Sequence, residues 1–279
     1  MPISATGTLK ASIIIKELNL TGKQSFNTLQ NLAFSKPLNT LTKGSYFYNF
    51  DNNFKFNNYT PSVTYNNFSS SIYFYYYIFK ASTQYNSTTN ANYTDYTVTI
   101  NNQMVEVLLV AGGGGGGYYG GGGGGAGGLV YVPLSAGLIL NGTYKIRVGS
   151  GGLCQQNSTD TSTLNGTDSI IFDINNNIIL QAIGGSIGFG YNTSGANRVG
   201  GSSSGGHGTT YSSALVVSGI QKTMTSGNSS IYGYCNNGGN ADAVSKYSGG
   251  GGGAGGAGFS ALPVNYGKGG AAFSCQITE

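Results

Sequence analysis

Val105-Glu106-Val107-Leu108-Leu109-Val110-Ala111, six glycines at 112–117, Tyr118-Tyr119, six more at 120–125, then Ala126-Gly127-Gly128: this stretch decides the fold. Its first part is an apolar, β-branched run of strand type. Its second part has almost no side chains from which to build a core. A glycine run by itself reads as a flexible linker, because glycine loses the most conformational entropy on ordering. The other option is an extended helix of three residues per turn, rising ~3.1 Å per residue, which makes no internal hydrogen bonds. Each backbone N–H and C=O must then bond a neighbouring tract. Strands abut the run on both sides and fix its ends. We therefore read 112–117 and 120–125 as antiparallel neighbours packed backbone to backbone, turning at Tyr118-Tyr119.

Further along, the pattern repeats. A second dense tract covers 249–258, and a looser one with Ser, Asn and Tyr covers 184–208. Between them lie strands. Tyr144, Ile146 and Val148 alternate with Lys145 and Arg147, which puts the apolar set inward. The segments 169–174 and 178–183 flank Asn175-Asn176-Asn177 and read as a β-hairpin.

Towards the N-terminus the composition changes. Only three of the 49 glycines precede residue 112, whereas 20 of the 34 Tyr and Phe residues precede residue 101. The break at 101–106 divides the chain into an N-terminal attachment segment (1–44), an aromatic-rich β region (45–104) and a glycine-rich β/polyglycine domain (105–279). Within the first, Ser12 as N-cap and Asn19 as C-terminal cap predict a short helix at 13–18, and 25–32 suggests a further helical turn. Within the second, Asn pairs mark turns. The run 72–79 is apolar on both faces: Ile72, Phe74, Tyr76 and Ile78 on one, Tyr73, Tyr75, Tyr77 and Phe79 on the other. Such a strand is expected to be covered on both sides, as sheet core or as a subunit interface. The expected fold is mainly β: antiparallel sheets or a sandwich, packed polyglycine-II-type helices, and a short N-terminal helix.

Composition excludes several functions. Charged residues are 8% of the chain, against a usual ~25%. The net charge of +4 comes from 13 basic and 9 acidic residues with no basic cluster, so no nucleic-acid partner is expected. No run of ~20 apolar residues suggests a membrane span. No secretory leader is visible at the N-terminus, which predicts synthesis in a cytosol. The cysteines, Cys154, Cys235 and Cys275, are odd in number and match no zinc spacing. Gly201-Ser202-Ser203-Ser204-Gly205 fits the Gly-x-Ser-x-Gly pattern with His207, the only histidine, close by. The pattern needs a strand–turn–helix setting and a distant histidine, and a Ser in a Gly/Ser tract meets it by chance. No enzyme activity, cofactor or metal is expected. The Asn-x-Ser/Thr triplets are read as chance in an Asn- and Thr-rich chain.

The run 105–131, with Gly142-Thr-Tyr-Lys-Ile-Arg-Val-Gly-Ser-Gly-Gly152, Asn165-Gly-Thr-Asp-Ser-Ile-Ile171 and Ala182-Ile-Gly-Gly185, resembles the glycine-rich domain of virion proteins found in tailed-phage fibres and giant DNA viruses. The closing stretch, with its Gly-Gly-Ala triplets and Tyr266-Gly-Lys-Gly-Gly-Ala-Ala-Phe-Ser-Cys-Gln-Ile-Thr278, is similar to the same family. Ala11-Ser-Ile-Ile-Ile-Lys-Glu-Leu-Asn-Leu20 is similar to a phage-fibre segment. The resemblance implies a structural protein of a virus particle: a fibre, tail-tip or minor capsid component at the virion surface. Its partners would be other virion proteins and itself, as a homo-oligomer with a trimer expected, and host surface glycans. Recognition would fall to loops between glycine tracts, with Tyr118, Tyr119, Tyr191, Asn192 and Tyr266 as candidates. Two other classes are weighed: a cell-surface ligand-binding ectodomain, as in receptors with similar glycine tracts, and an ice-binding polyglycine bundle, which needs regular Gly-x-x triplets.

Overall fold

The computed structural model describes residues 54–57, 62–65, 75–81, 93–156, 165–190, 200–208, 219–221, 224–226, 229–242, 244, 246–261 and 267–275. The helix expected at 13–18 and the turn at 25–32 lie outside the described residues.

The described chain is mainly β and antiparallel throughout. One sheet of five strands has the order β1 (Phe54–Asn57), β4 (Tyr93–Met104), β7 (Ile139–Gly149), β8 (Ser169–Phe172), β9 (Ile178–Ala182). A second sheet of four strands has the order β10 (Met224–Ser226), β11 (Ser229–Tyr234), β6 (Leu129–Val132), β5 (Val107–Val110). A small ladder pairs β2 (Ser62–Tyr65) with β3 (Tyr75–Ile78). β5, β7, β8 and β9 fall in the segments read as strands at 105–110, from its apolar run, at 144–148, from its alternation, and at 169–174 and 178–183, from the Asn turn between them. β4, from the aromatic-rich region, pairs along its length with β7 of the glycine-rich region, so both regions contribute to one sheet.

Side chains hold the two larger sheets together. Leu109, Val130, Val132 and Ile231 from the four-stranded sheet join Ile171, Leu180 and Ala182 from the five-stranded sheet in one buried cluster. Val130, Val132, Leu180 and Ala182 are at most 1% exposed, and each large side chain buried this way stabilises the fold by roughly 1.5–3 kcal/mol. A second cluster of Val98, Ile100 and Leu140 lies under Tyr144 and Ile146, which confirms the inward face read for β7. On its other face Arg147 makes a two-pronged bond to Asp95 at 2.8 and 2.9 Å and lies 3.4 Å over the Tyr93 ring. The β8–β9 turn uses its Asn run as expected. Asn176 sits at φ 63°, and one Asp173 carboxylate oxygen accepts from the Asn175 and Asn177 amides at 2.8 Å each.

β3 covers Tyr75–Ile78 and pairs with the four-residue β2. Ile78 is 39% exposed and Tyr77 and Phe79 are half-buried, while residues 72–74 of the apolar run lie outside the described residues.

The glycine tracts form neither helix nor β ladder. Their backbone groups bond three different neighbours in turn, with a repeat of three residues. Gly112 and Gly115 accept from Gly185 and Gly188. Gly113 and Gly116 accept from Gly152 and Gln155, and Gly114 and Gly117 donate to Gly125 and Gly122. The second tract repeats the scheme: Gly122, Gly125 and Gly128 donate to Phe189, Ser186 and Ile183, while Gly123 and Ala126 donate to Gly249 and Gly252. Close approach follows the same period. A Cβ at Gly112 or Gly115 would stand 1.9 or 1.8 Å from the Ser150 or Leu153 carbonyl oxygen. At Gly114 or Gly117 it would stand 2.1 or 2.2 Å from Ser186 or Phe189 oxygen. At Gly113 the nearest atom is 3.5 Å away, and at Gly116 nothing lies within 4 Å. Ala126 and Ala257, which interrupt glycine runs, are both exposed.

Candidate functional site

The lattice ends in a turn that carries the two adjacent tyrosines. Ala111, Gly114 and Gly117 donate to Gly128, Gly125 and Gly122 at 2.8–3.1 Å, so the first two tracts run antiparallel and reverse at 118–120. Tyr119 at φ 43° and Gly120 at φ 67° are both left-handed. Glycine takes that conformation freely and tyrosine rarely does, so the surroundings must hold Tyr119 in place.

Three side chains from three other segments do so. Gln155 Oε1 accepts from the Tyr118 amide at 3.1 Å. His207 Nε2 lies 2.9 Å from the Tyr119 carbonyl oxygen and, as the donor of that pair, must carry its proton on Nε2. Ser248 Oγ donates to the Gly120 carbonyl. Gln155 and His207 are 5% and 2% exposed, so the clamps are anchored in the lattice. Tyr119, by contrast, is 70% exposed. The two tyrosine rings lie 6.0 Å apart, tilted by 39°. The result is a flat, polar-tipped aromatic pair on a fixed backbone, an arrangement suited to stacking and hydrogen bonding.

Tyr191, Asn192 and Tyr266 lie outside the described residues. Their described neighbours sit at this end of the lattice. A Cβ on Gly190 would stand 2.8 Å from the Tyr118 amide nitrogen, and one on Gly267 would stand 2.0 Å from the carbonyl oxygen of Ser248.

The serines of the Gly-x-Ser-x-Gly match are lattice components. Ser202 and Ser203 are fully buried and Ser204 is 2% exposed. Ser202 Oγ donates to Gly127 oxygen at 2.8 Å, and Ser203 Oγ accepts from the Gly238 amide at 2.9 Å. His207 Nε2 engages the Tyr119 carbonyl oxygen. All three cysteines are free, and burial pushes the Cys235 thiol up. Among the described residues, no group of three His, Cys, Asp or Glu side chains could hold a metal ion, and no helix is long and apolar enough to cross a membrane.

Residues 88–278, more than half of the chain, match the glycine-rich domain family. The chain belongs to that family. No curated protein and no solved structure matches it. In this glycine-rich domain the clamps Gln155, His207 and Ser248 escaped sequence reasoning. They lie 37, 88 and 128 residues from their partners in the turn, and nothing in their local sequence announces the pairing.

Proposed function

We propose that this glycine-rich domain protein is a structural component of a virus particle, of fibre, tail-tip or minor capsid type, which presents a rigid loop end for host or glycan attachment. The observation that carries the reading is the tyrosine turn held by three buried or lattice-anchored side chains. Recognition needs loops on a firm base, and this loop is immobilised without a conventional core beneath it. The three-residue hydrogen-bond period supports treating the tracts as extended polyglycine-II-type helices, which stiffen a particle-surface protein through backbone bonds alone. Low charge and engagement of His207 and Ser203 inside the lattice favour a binding role over a catalytic one. In this reading the chain acts as a homo-oligomer, with a trimer expected, and contacts other particle proteins. Mass spectrometry of purified particles is the test: the chain is expected among the particle proteins, and its absence from them would remove the reading. At the attachment step, Tyr118→Ala with Tyr119→Ala should reduce host adsorption while leaving the unfolding midpoint unchanged.

A further inference from the structure

The first two glycine tracts leave one side of their seam open. The run 112–117 directs its hydrogen bonds to three neighbouring tracts, 122–125, 185–188 and 152–155. Two rows of backbone groups remain. Among the described residues, the carbonyl oxygens of Gly114 and Gly117 accept no hydrogen bond, and the amides of Gly121 and Gly124 on the second tract donate none. The rows lie side by side. A Cβ on Gly124 would stand 2.2 Å from the Gly114 oxygen, and one on Gly121 would stand 2.5 Å from the Gly117 oxygen. Within each row the members are three residues apart, ~9 Å along an extended tract. All four glycines are half-buried, where an unmet backbone group is costly. Space lies over the seam. A Cβ on Gly113 would stand 3.5 Å from the Gly125 and Ala126 oxygens, on the second tract's side. One turn further along the same row, a Cβ on Gly116 would meet nothing within 4 Å. The result is a groove with a backbone floor, a row of acceptors on one side and a row of donors on the other.

We propose that this groove receives an extended glycine-rich tract from a second copy of the chain, so that the lattice continues from one subunit into the next. The chemistry selects the occupant. Donors and acceptors at a three-residue pitch are met together by an extended backbone of the same pitch; a β-strand, with its period of two, falls out of step. Side chains facing either tract would collide, as a Cβ would at 1.8–2.2 Å from neighbouring oxygens at Gly112, Gly114, Gly115 and Gly117. The occupant is therefore glycine where it faces the groove. This chain carries such a tract at another edge of its lattice. Gly269 and Ala272, three residues apart, are exposed and make no backbone bond among the described residues. Between them, Gly270 donates to Gly251 and Ala271 accepts from Gly255, which holds the tract in place. Groove and edge are different surfaces of one chain, so the contact between copies is heterologous. It is the counterpart, in this lattice, of strand addition at a sheet edge. The inference rests on the homo-oligomer reading and deepens it by naming the surfaces that meet.

The test follows the full chain by sedimentation velocity from about 1 to about 100 µM, with amide hydrogen exchange at both ends of that range. Association is expected to grow with concentration. Exchange at the Gly121 and Gly124 amides should slow as it does, while exchange at Gly114, already bonded to Gly125, should not change. Gly116→Leu places a side chain in the groove without meeting its own subunit at Cβ. At the lowest concentration it should unfold at the same midpoint as the unsubstituted chain, and it should stay monomeric over the whole range. Tyr232→Ala, which trims a 47% exposed ring on the four-stranded sheet, should associate as the unsubstituted chain does. The exchange measurement needs no substitution, so it decides the matter even if Gly116→Leu folds poorly. Association that leaves Gly121 and Gly124 exchange unchanged, or that persists in folded Gly116→Leu, or that is lost only in Tyr232→Ala, would overturn the groove and leave the homo-oligomer reading standing. A chain that stays monomeric at the highest concentration would remove both.

Discussion

The facing sheets and the glycine lattice solve the same packing problem with opposite materials. Between the sheets, Val130, Val132, Leu180 and Ile231 fill the interior with side chains at a period of two residues. In the lattice, carbonyl oxygens of neighbouring tracts fill the interior, and the period is three. The sheets are therefore sensitive to losing volume, and the lattice is sensitive to gaining it. The sheets draw their stability from apolar burial. The lattice draws on interlocked backbone hydrogen bonds, each of modest net value but expensive to leave unmade once buried.

The largest expected effect is on the lattice side. Gly115→Val would force three carbons towards the Leu153 carbonyl, where the first would already stand 1.8 Å away. A loss of about 4 kcal/mol or more, or failure to fold, is expected in denaturant titration. The same substitution with a loss under about 1 kcal/mol would break the contrast.

On the sheet side, Leu180→Ala empties a site that is 1% exposed. A loss of about 2–5 kcal/mol is expected from the same titration. The reciprocal change, an added methyl group at the exposed Ala257, should leave the midpoint almost unmoved.

Smaller effects belong to the turn that joins the first two tracts. Gln155→Ala removes the acceptor for the Tyr118 amide, and a loss of about 1–3 kcal/mol is expected, the range for orphaning a buried partner. Hydrogen exchange at the Tyr118 amide should speed up more than exchange at Gly114, which bonds Gly125 within the lattice. Equal acceleration at both would mean that turn and lattice open as one unit.

The smallest effect is a pH dependence in the β8–β9 turn. The Asn177 side chain, together with the backbone amides of Asn177 and Asn175, holds the Asp173 carboxyl below its usual range. A depressed folded-state pKa contributes stability above the unfolded value of ~3.9 and loses it as pH falls through the folded value. Asp173→Asn should flatten that acid limb slightly, which unfolding midpoints measured from pH 6 to pH 2 would show.

Legibility in the sequence follows the same division. The sheets were readable because side-chain alternation is written locally: Tyr144, Ile146 and Val148 on one face of β7, or Asn175-Asn176-Asn177 between β8 and β9. The antiparallel course of 112–117 and 120–125 was readable from the length of the runs and the Tyr-Tyr interruption. Which glycines are closed to a side chain was not, because Gly115 and Gly116 are identical in sequence and differ only in what lies opposite. The exposed Ala126 and Ala257 are the faint record of that period. Tyr118 and Tyr119 were legible as a turn, but Gln155, His207 and Ser248 meet them only through the lattice.

A matched pair of alanine substitutions tests the lattice most directly, because one methyl group is added in each case at adjacent positions of the same run. Gly115→Ala and Gly116→Ala would be compared by chemical denaturation of the full chain. The three-faced lattice predicts a severe loss at 115, against the Leu153 oxygen, and a midpoint within about 0.5 kcal/mol of the unsubstituted chain at 116, where nothing lies within 4 Å. Equal losses at both positions, or a larger loss at 116, would contradict the packing described here.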